Sequence, residues 1–372
     1  MSATDEFAVL PAATAERRAI SATDEARRQM EICNACRYCE GYCDVFQAMT
    51  ARRSFAAADL GYLANLCHNC RGCYYACQYT APHEFDLNLP RALADLRQES
   101  WQDHAWPRIF ARAFRANGVV ISLTIALGVA AILMLSGEGS AGGGFYAVIP
   151  HETMVAVFAP VFLFALLAMG IGAWRFWRAI GAAPPAAIDL APGLRDGLTL
   201  KNLSGGHGAG CNYEQAEVYT PARRQAHHLT VLGFALCFAS TSAGTVLHYG
   251  FDMPAPYGFW SLPKLFGMPG GVLLCMGTAW LLWLKRRADR GLGAEGVWGG
   301  EVAFILLLFL VSLSGLALYA FRGTGALTPL LALHLGLVLA FFATMPYAKM
   351  VHGAYRLAAL IRRAQERRLT KG

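Results

Sequence analysis

Two cysteine runs of the same spacing stand close together near the start of the chain: Cys33, Cys36, Cys39 and Cys43, then Cys67, Cys70, Cys73 and Cys77. They take eight of the eleven cysteines. The C-x2-C-x2-C-x3-C spacing is the ferredoxin-type signature for two [4Fe–4S] clusters, in which the displaced fourth thiolate reaches across to the other cluster. The expected ligand sets are Cys33, Cys36, Cys39 and Cys77 for one cluster, and Cys43, Cys67, Cys70 and Cys73 for the other. Such groups move single electrons. Two other uses of cysteine compete. Zinc favours paired C-x2-C groups making four ligands, which fits a third and fourth cysteine at these offsets poorly. A disulfide framework needs an oxidising compartment, and the first thirty residues hold no apolar segment of an export signal. The proline that commonly follows the fourth cysteine is absent, with Asp44 and Gln78 in its place.

Histidines form the second chemical group. His227, His228 and His248 bracket one apolar stretch, and His334 and His352 bracket another. Ionisable groups within membrane helices are rare and usually functional. Eighteen residues, five whole turns, separate His334 from His352, and twenty-one, close to six turns, separate His227 from His248. Each pair would therefore lie on nearly one helix face, about 27–32 Å apart at 1.5 Å per residue. His228 is turned away from His227 by a further ~100°. Two antiparallel helices so equipped can clamp b-type haem by bis-histidine ligation. One haem would lie between His227 (or His228) and His352, and a second between His248 and His334. The plainer use of a boundary histidine is a hydrogen bond to headgroups or loops, and His151, with no partner expected at its depth, is read that way. Pro346, between His334 and His352, is a point where that helix can kink. His68 and His83, beside the second cysteine run, are read as packing or tuning residues.

The elements that must position these groups follow from the apolar pattern. Residues 44–66, between the cysteine runs, contain Val45, Phe46, Met49, Phe55, Leu60 and Leu63 without a hairpin turn signal, which predicts helix. Of 372 residues, 55% are hydrophobic and 15% charged, and the charge deficit begins near Phe110. Six stretches are long enough to span a bilayer: Val119–Ser136, Thr153–Trp174, Leu229–Leu247, Leu265–Leu284, Val302–Phe321 and Pro329–Met345. Thr328 and Pro329 are expected to cap and start the last. Loop 175–226, loop 285–299 and the tail after Met345 are rich in Lys and Arg. The opposite loops hold none, Lys264 alone and Arg322 alone. The basic side is the cytoplasm, so both termini and the cysteine domain are expected there, in a bacterial inner membrane. The net charge of +7 is then a topological signature and implies no nucleic acid. Loop 175–226 also carries Gly205-Gly206-His207-Gly208-Ala209-Gly210-Cys211, expected to form a lid between the cysteine domain and the cytoplasmic haem. Cys237 and Cys275 are expected to pack as small apolar residues.

The expected organisation is mostly α. A lead-in segment (1–30) precedes a helical two-[4Fe–4S] ferredoxin-like domain (31–105), followed by a six-helix transmembrane cytochrome-b-like bundle (106–372). No flavin or nicotinamide fingerprint is visible, so electrons must come from a partner.

The residues from Asp59 to Tyr79 around the second cysteine run, Pro82-His83-Glu84-Phe85, the glycine loop ending in Cys211, and Arg223-Arg224-Gln225-Ala226-His227-His228 leading into Leu236–Thr241 resemble the tricarballylate/citrate-utilisation protein B family. The resemblance extends from about residue 30 to the end. It implies a membrane-associated iron–sulfur and haem carrier that reoxidises the reduced flavin of an FAD-dependent, tricarballylate dehydrogenase-like partner and passes electrons to quinone. Membrane lipid is its other partner. The membrane half is also similar to the cytochrome b subunit of nitrate reductases. Rival readings are a related membrane subunit of the heterodisulfide-reductase or nitrate-reductase kind that oxidises quinol, and a non-enzymatic redox sensor.

Overall fold

The structure, a computed structural model, describes residues 21–136, 145–205 and 208–370. Most of the lead-in segment, together with Gly206 and His207 of the glycine loop, lies outside the described residues. Among the described residues the fold is almost wholly helical. The strands β1 (Cys211–Asn212) and β2 (Tyr219–Thr220) form one short antiparallel pair.

Helix α1 (Ala22–Cys36) begins where Ser21 Oγ accepts the Asp24 N–H at 3.1 Å. It stops where Arg37 turns left-handed (φ 56°) and donates its N–H to the Cys33 carbonyl at 2.8 Å. That stop throws the rest of the first cysteine run into a loop. α2 (Asp44–Thr50) and α3 (Ala57–Leu66) occupy the interval between the runs, as the apolar pattern predicts. α4 (Gly72–Tyr75) is a single turn inside the second run, and α5 (Leu89–His104) starts at Asn88, whose Oδ1 accepts the Arg91 N–H at 3.2 Å. The apolar faces of these helices meet in a core of Met30, Met49, Leu60, Leu63 and Leu93. The same core continues without a break to Phe176 and Tyr355 of the membrane half.

Among the described residues, six helices are long and apolar enough to cross a membrane. α6 (Arg108–Ser136) bends at Asn117, which leaves helical φ/ψ (−143°, 33°). The single turn α7 (Phe145–Val148) leads into α8 (His151–Ala179), and α9 (Ala187–Leu198) lies in the long loop. α10 (Ala222–Phe251), α11 (Leu262–Arg287), α12 (Trp298–Ala320) and α13 (Leu327–Thr344) complete the bundle. α10 and α11 meet backbone to backbone: a Cβ on Gly277 would stand 2.6 Å from the Thr230 nitrogen, and one on Gly233 2.4 Å from that of Leu274. Small residues permit such approaches in membrane bundles.

Two sequence expectations are corrected here. Ala326 takes the cap position of the last span, and Thr328 and Pro329 lie inside its first turn. There the missing N–H of proline costs nothing, because the first N–H groups have no partner within the helix. More important, His352 does not continue α13. The helix ends at Thr344, residues 345–351 form turns and a 3-10 segment, and His352 opens a separate helix, α14 (His352–Leu369). Pro346 lacks a donor and disfavours helix in the residue before it, so the chain breaks where a kink was expected. His334 and His352 therefore do not share one continuous face.

α14 runs back over the cysteine domain and is held there by charge. Arg367 pairs with Asp44 and, at 2.8 Å, with Asp196. Arg368 pairs with Asp189 at 2.9 Å, and Glu366 accepts from Arg52 at 2.5 Å and from the Tyr62 hydroxyl at 2.9 Å.

Candidate redox site

The eight paired-run cysteines fall into two sets. Cys33, Cys36, Cys39 and Cys77 line a cavity of about 320 Å³, which Cys73 also lines. Cys43, Cys67, Cys70 and Cys73 line the neighbouring one. Cys73 belongs to the wall between them. Cys77 stands beside Cys33, and Cys43 beside Cys70 and Cys67. Burial first, then the facing Cys77, pushes the Cys33 thiol up to about 12. Burial likewise pushes Cys39 and Cys70 up to about 12. Thiols grouped in this way ionise readily only around a cation. Among the described residues no three such side chains converge closely enough to share a single metal ion. The first donor set instead surrounds a volume, which suits a group of several irons, while the second closes on a space of about 30 Å³. Backbone donors are already aimed at sulfur: the Asn69 N–H lies 3.3 Å from Cys67 Sγ, and the Tyr79 N–H 3.4 Å from Cys77 Sγ. Such bonds tune cluster potentials.

His227 on α10 and His352 at the start of α14 face each other, with ring centroids 6.0 Å apart and planes at 83°. Two imidazoles sharing one metal through bonds of about 2 Å have centroids roughly 6 Å apart. His352 Nδ1 donates to the Lys349 carbonyl at 2.5 Å, which leaves the Nε2 lone pair free. Burial, then the Arg356 charge, holds this imidazole well below its usual range and therefore neutral. His227 Nδ1 is buried without a hydrogen-bond partner. The pair fits bis-histidine ligation.

Each of these histidines has an arginine one helical turn away that reaches the second cysteine run. Arg223, four residues before His227, donates to the Asn69 carbonyl at 2.7 Å. Arg356, four residues after His352, donates to the Cys67 carbonyl at 2.8 Å, the same oxygen that Arg97 reaches at 2.7 Å. His68 is buried beside them, with Nδ1 donating to the Leu66 carbonyl at 2.9 Å. The arginines were missed by sequence reasoning, although i±4 spacing from each histidine places them on the same helix face.

The other histidines go elsewhere. His228 points away from His352, its Nε2 donating to the Leu198 carbonyl at 3.2 Å. His334 Nδ1 shares a hydrogen bond with Ser314 Oγ at 3.0 Å. His248 stacks on His151 at 4.1 Å and 29°, too close for a metal to sit between the rings. His151, expected to lack a partner, therefore has one in His248, because α8 and α10 bring those ring-bearing turns together. His83 packs against Tyr79 and Phe85. Cys211 is buried, and the next residue, Asn212, donates its N–H to the Cys70 carbonyl at 2.9 Å, so this strand lies against the second cysteine run.

These features define a class: a mostly helical, multi-pass membrane redox protein with an iron–sulfur-binding domain at its N-terminal end. Comparison with known proteins is more specific. Residues 26–105 match the family described as the Citrate utilization protein B Fer4-like domain, and residues 108–372 match Citrate utilization protein B. The chain is 44% identical over 354 residues to Citrate utilization protein B of Escherichia coli, covering 93% of each. It belongs to the citrate utilisation protein B family. No solved structure matches it.

Proposed function

We propose that this protein carries electrons from the reduced FAD of a soluble, tricarballylate dehydrogenase-like flavoprotein to membrane quinone. It would hold two [4Fe–4S] clusters on its two cysteine sets and a b-type haem between His227 and His352. The cysteine domain and both chain ends would face the cytoplasm. The observation that carries this reading is the facing His227–His352 pair, tied through Arg223 and Arg356 to the Cys67–Asn69 backbone. Clusters and haem supply one-electron redox chemistry, which links a two-electron flavin to a two-electron quinone. The chain's own work is placement. The buried core around Leu60, Leu63 and Leu93 backs Cys33, Cys39, Cys43, Cys67 and Cys73, and the Lys349 carbonyl orients His352. The arginines offset thiolate charge while fixing the distance between the two sites. A second haem on His248 and His334 lacks comparable support, since each ring has turned to another partner.

The protein purified from membranes should show a b-type haem band on reduction. His227→Ala and His352→Ala should abolish the band and His228→Ala should keep it. Reduction of decylubiquinone by the flavoprotein and its substrate tests the direction, and a chain that only oxidises decylubiquinol would overturn it.

A further inference from the structure

A cavity of about 1100 Å³ opens between α5, the bent start of α6, the start of α12 and the 345–351 link. Its volume suits a bound small molecule, and nothing described so far uses it. Its two ends differ in chemistry. At the polar end Glu301 accepts from Lys349, from Lys285 at 2.5 Å and from Gln98 at 3.5 Å. Lys349 also lies 5.2 Å over the Trp101 ring. Charges buried at a membrane helix end are costly and usually functional. At the other end the lining becomes Phe304, Leu307, Val119 and Val120. Val119 and Val120 are 44% and 61% exposed on a helix apolar enough to face lipid. α6 bends at Asn117, which also lines the cavity.

Resting on the reading above, we propose that this cleft is the quinone site. The ring lies at Lys349, Glu301 and Trp101, and the isoprenoid tail leaves past Val119 and Val120 into the bilayer. A quinone needs a donor for its carbonyl and an opening to lipid, and the cleft offers Lys349 for the first and the exposed Val119 and Val120 for the second. It also borders both redox sets. Lys349 supplies the carbonyl that His352 uses, and Arg97, one turn before Trp101, bonds the Cys67 carbonyl. In the reaction the quinone takes two electrons, supplied by the reduced flavoprotein, and two protons from water at the polar end, and leaves as quinol.

Gly300 lines the cavity, and a Cβ there meets nothing within 4 Å, so Gly300→Phe adds bulk at the cavity wall from an open starting point. The full-length protein is photolabelled with an azido-decylubiquinone and its peptides are mapped. Labelling is expected within residues 98–122, 296–307 or 344–351, removed by excess decylubiquinone. Gly300→Phe should raise the decylubiquinone concentration for half-maximal reoxidation of the dithionite-reduced protein about tenfold, with the haem band unchanged. Competable labelling only elsewhere, or unchanged reoxidation in Gly300→Phe, overturns the site and leaves the electron-carrier reading intact. Labelling displaced by phospholipid and not by quinone assigns the cleft to lipid and also overturns it. Wild-type protein that decylubiquinone fails to reoxidise overturns the carrier reading itself.

Discussion

At the scale of single residues, the arginines between the two sites carry a measurable consequence. Arg356 is drawn down to about 9 by burial and by the neighbouring Arg97, yet it stays charged at neutral pH. A unit positive charge at about 8 Å and an effective dielectric of 20 is worth roughly 2 kcal/mol, or about 90 mV for one electron. Arg356→Gln should therefore lower the potential of the cluster held by Cys67 by tens of millivolts, read by EPR-monitored redox titration. The cluster held by Cys33 should move much less. Equal shifts in both would mean that Arg356 acts through global loosening. The cysteine sets were legible from spacing because the motif is local. That His227, and not His228, faces His352 was not, since adjacent residues differ only by ~100° around the helix and the facing ring comes from a distant segment.

At the scale of elements, the seam between α10 and α11 sets where His227 stands. Gly277→Leu forces two backbones apart and should cost about 1–3 kcal/mol by overpacking. The haem band should weaken while the EPR signals of the cysteine domain persist. Gly170→Leu, on α8, is the control: a Cβ there meets nothing within 4 Å. A haem band that survives Gly277→Leu would show that the seam does not position the ligand. The six spans were readable as apolar runs, since length and hydropathy suffice. The last ends within a residue of where its apolar run stops, at Met345. What the sequence did not show is α14, which only the packed structure places as a separate helix running back over the cysteine domain.

At the scale of the whole molecule, the cysteine domain and the membrane bundle are joined by one continuous core and by the charges of α14. Asp44 is 4% exposed and faces Arg363 and Arg367. Removing one partner of a buried ion pair leaves the other uncompensated, at a cost of about 3–5 kcal/mol. Asp44→Asn should lower the thermal midpoint for loss of cluster absorbance. Because α14 also carries His352, the haem band should bleach in the same transition. Bleaching at an unchanged, separate temperature would mean that α14 docking does not hold His352.

The iron–sulfur character of the N-terminal domain, the helical interval between its cysteine runs and the six spans were all decided by short-range pattern, because thiol spacing and apolar run length act within a few turns of chain. Which histidines face each other, the arginines that tie them to the second cysteine run, and the cleft between domain and bundle were decided only by tertiary packing. Those contacts join residues far apart in the chain, His227 with His352 and Cys67 with Arg356, and their geometry depends on a helix break whose consequence is visible only once α14 has docked.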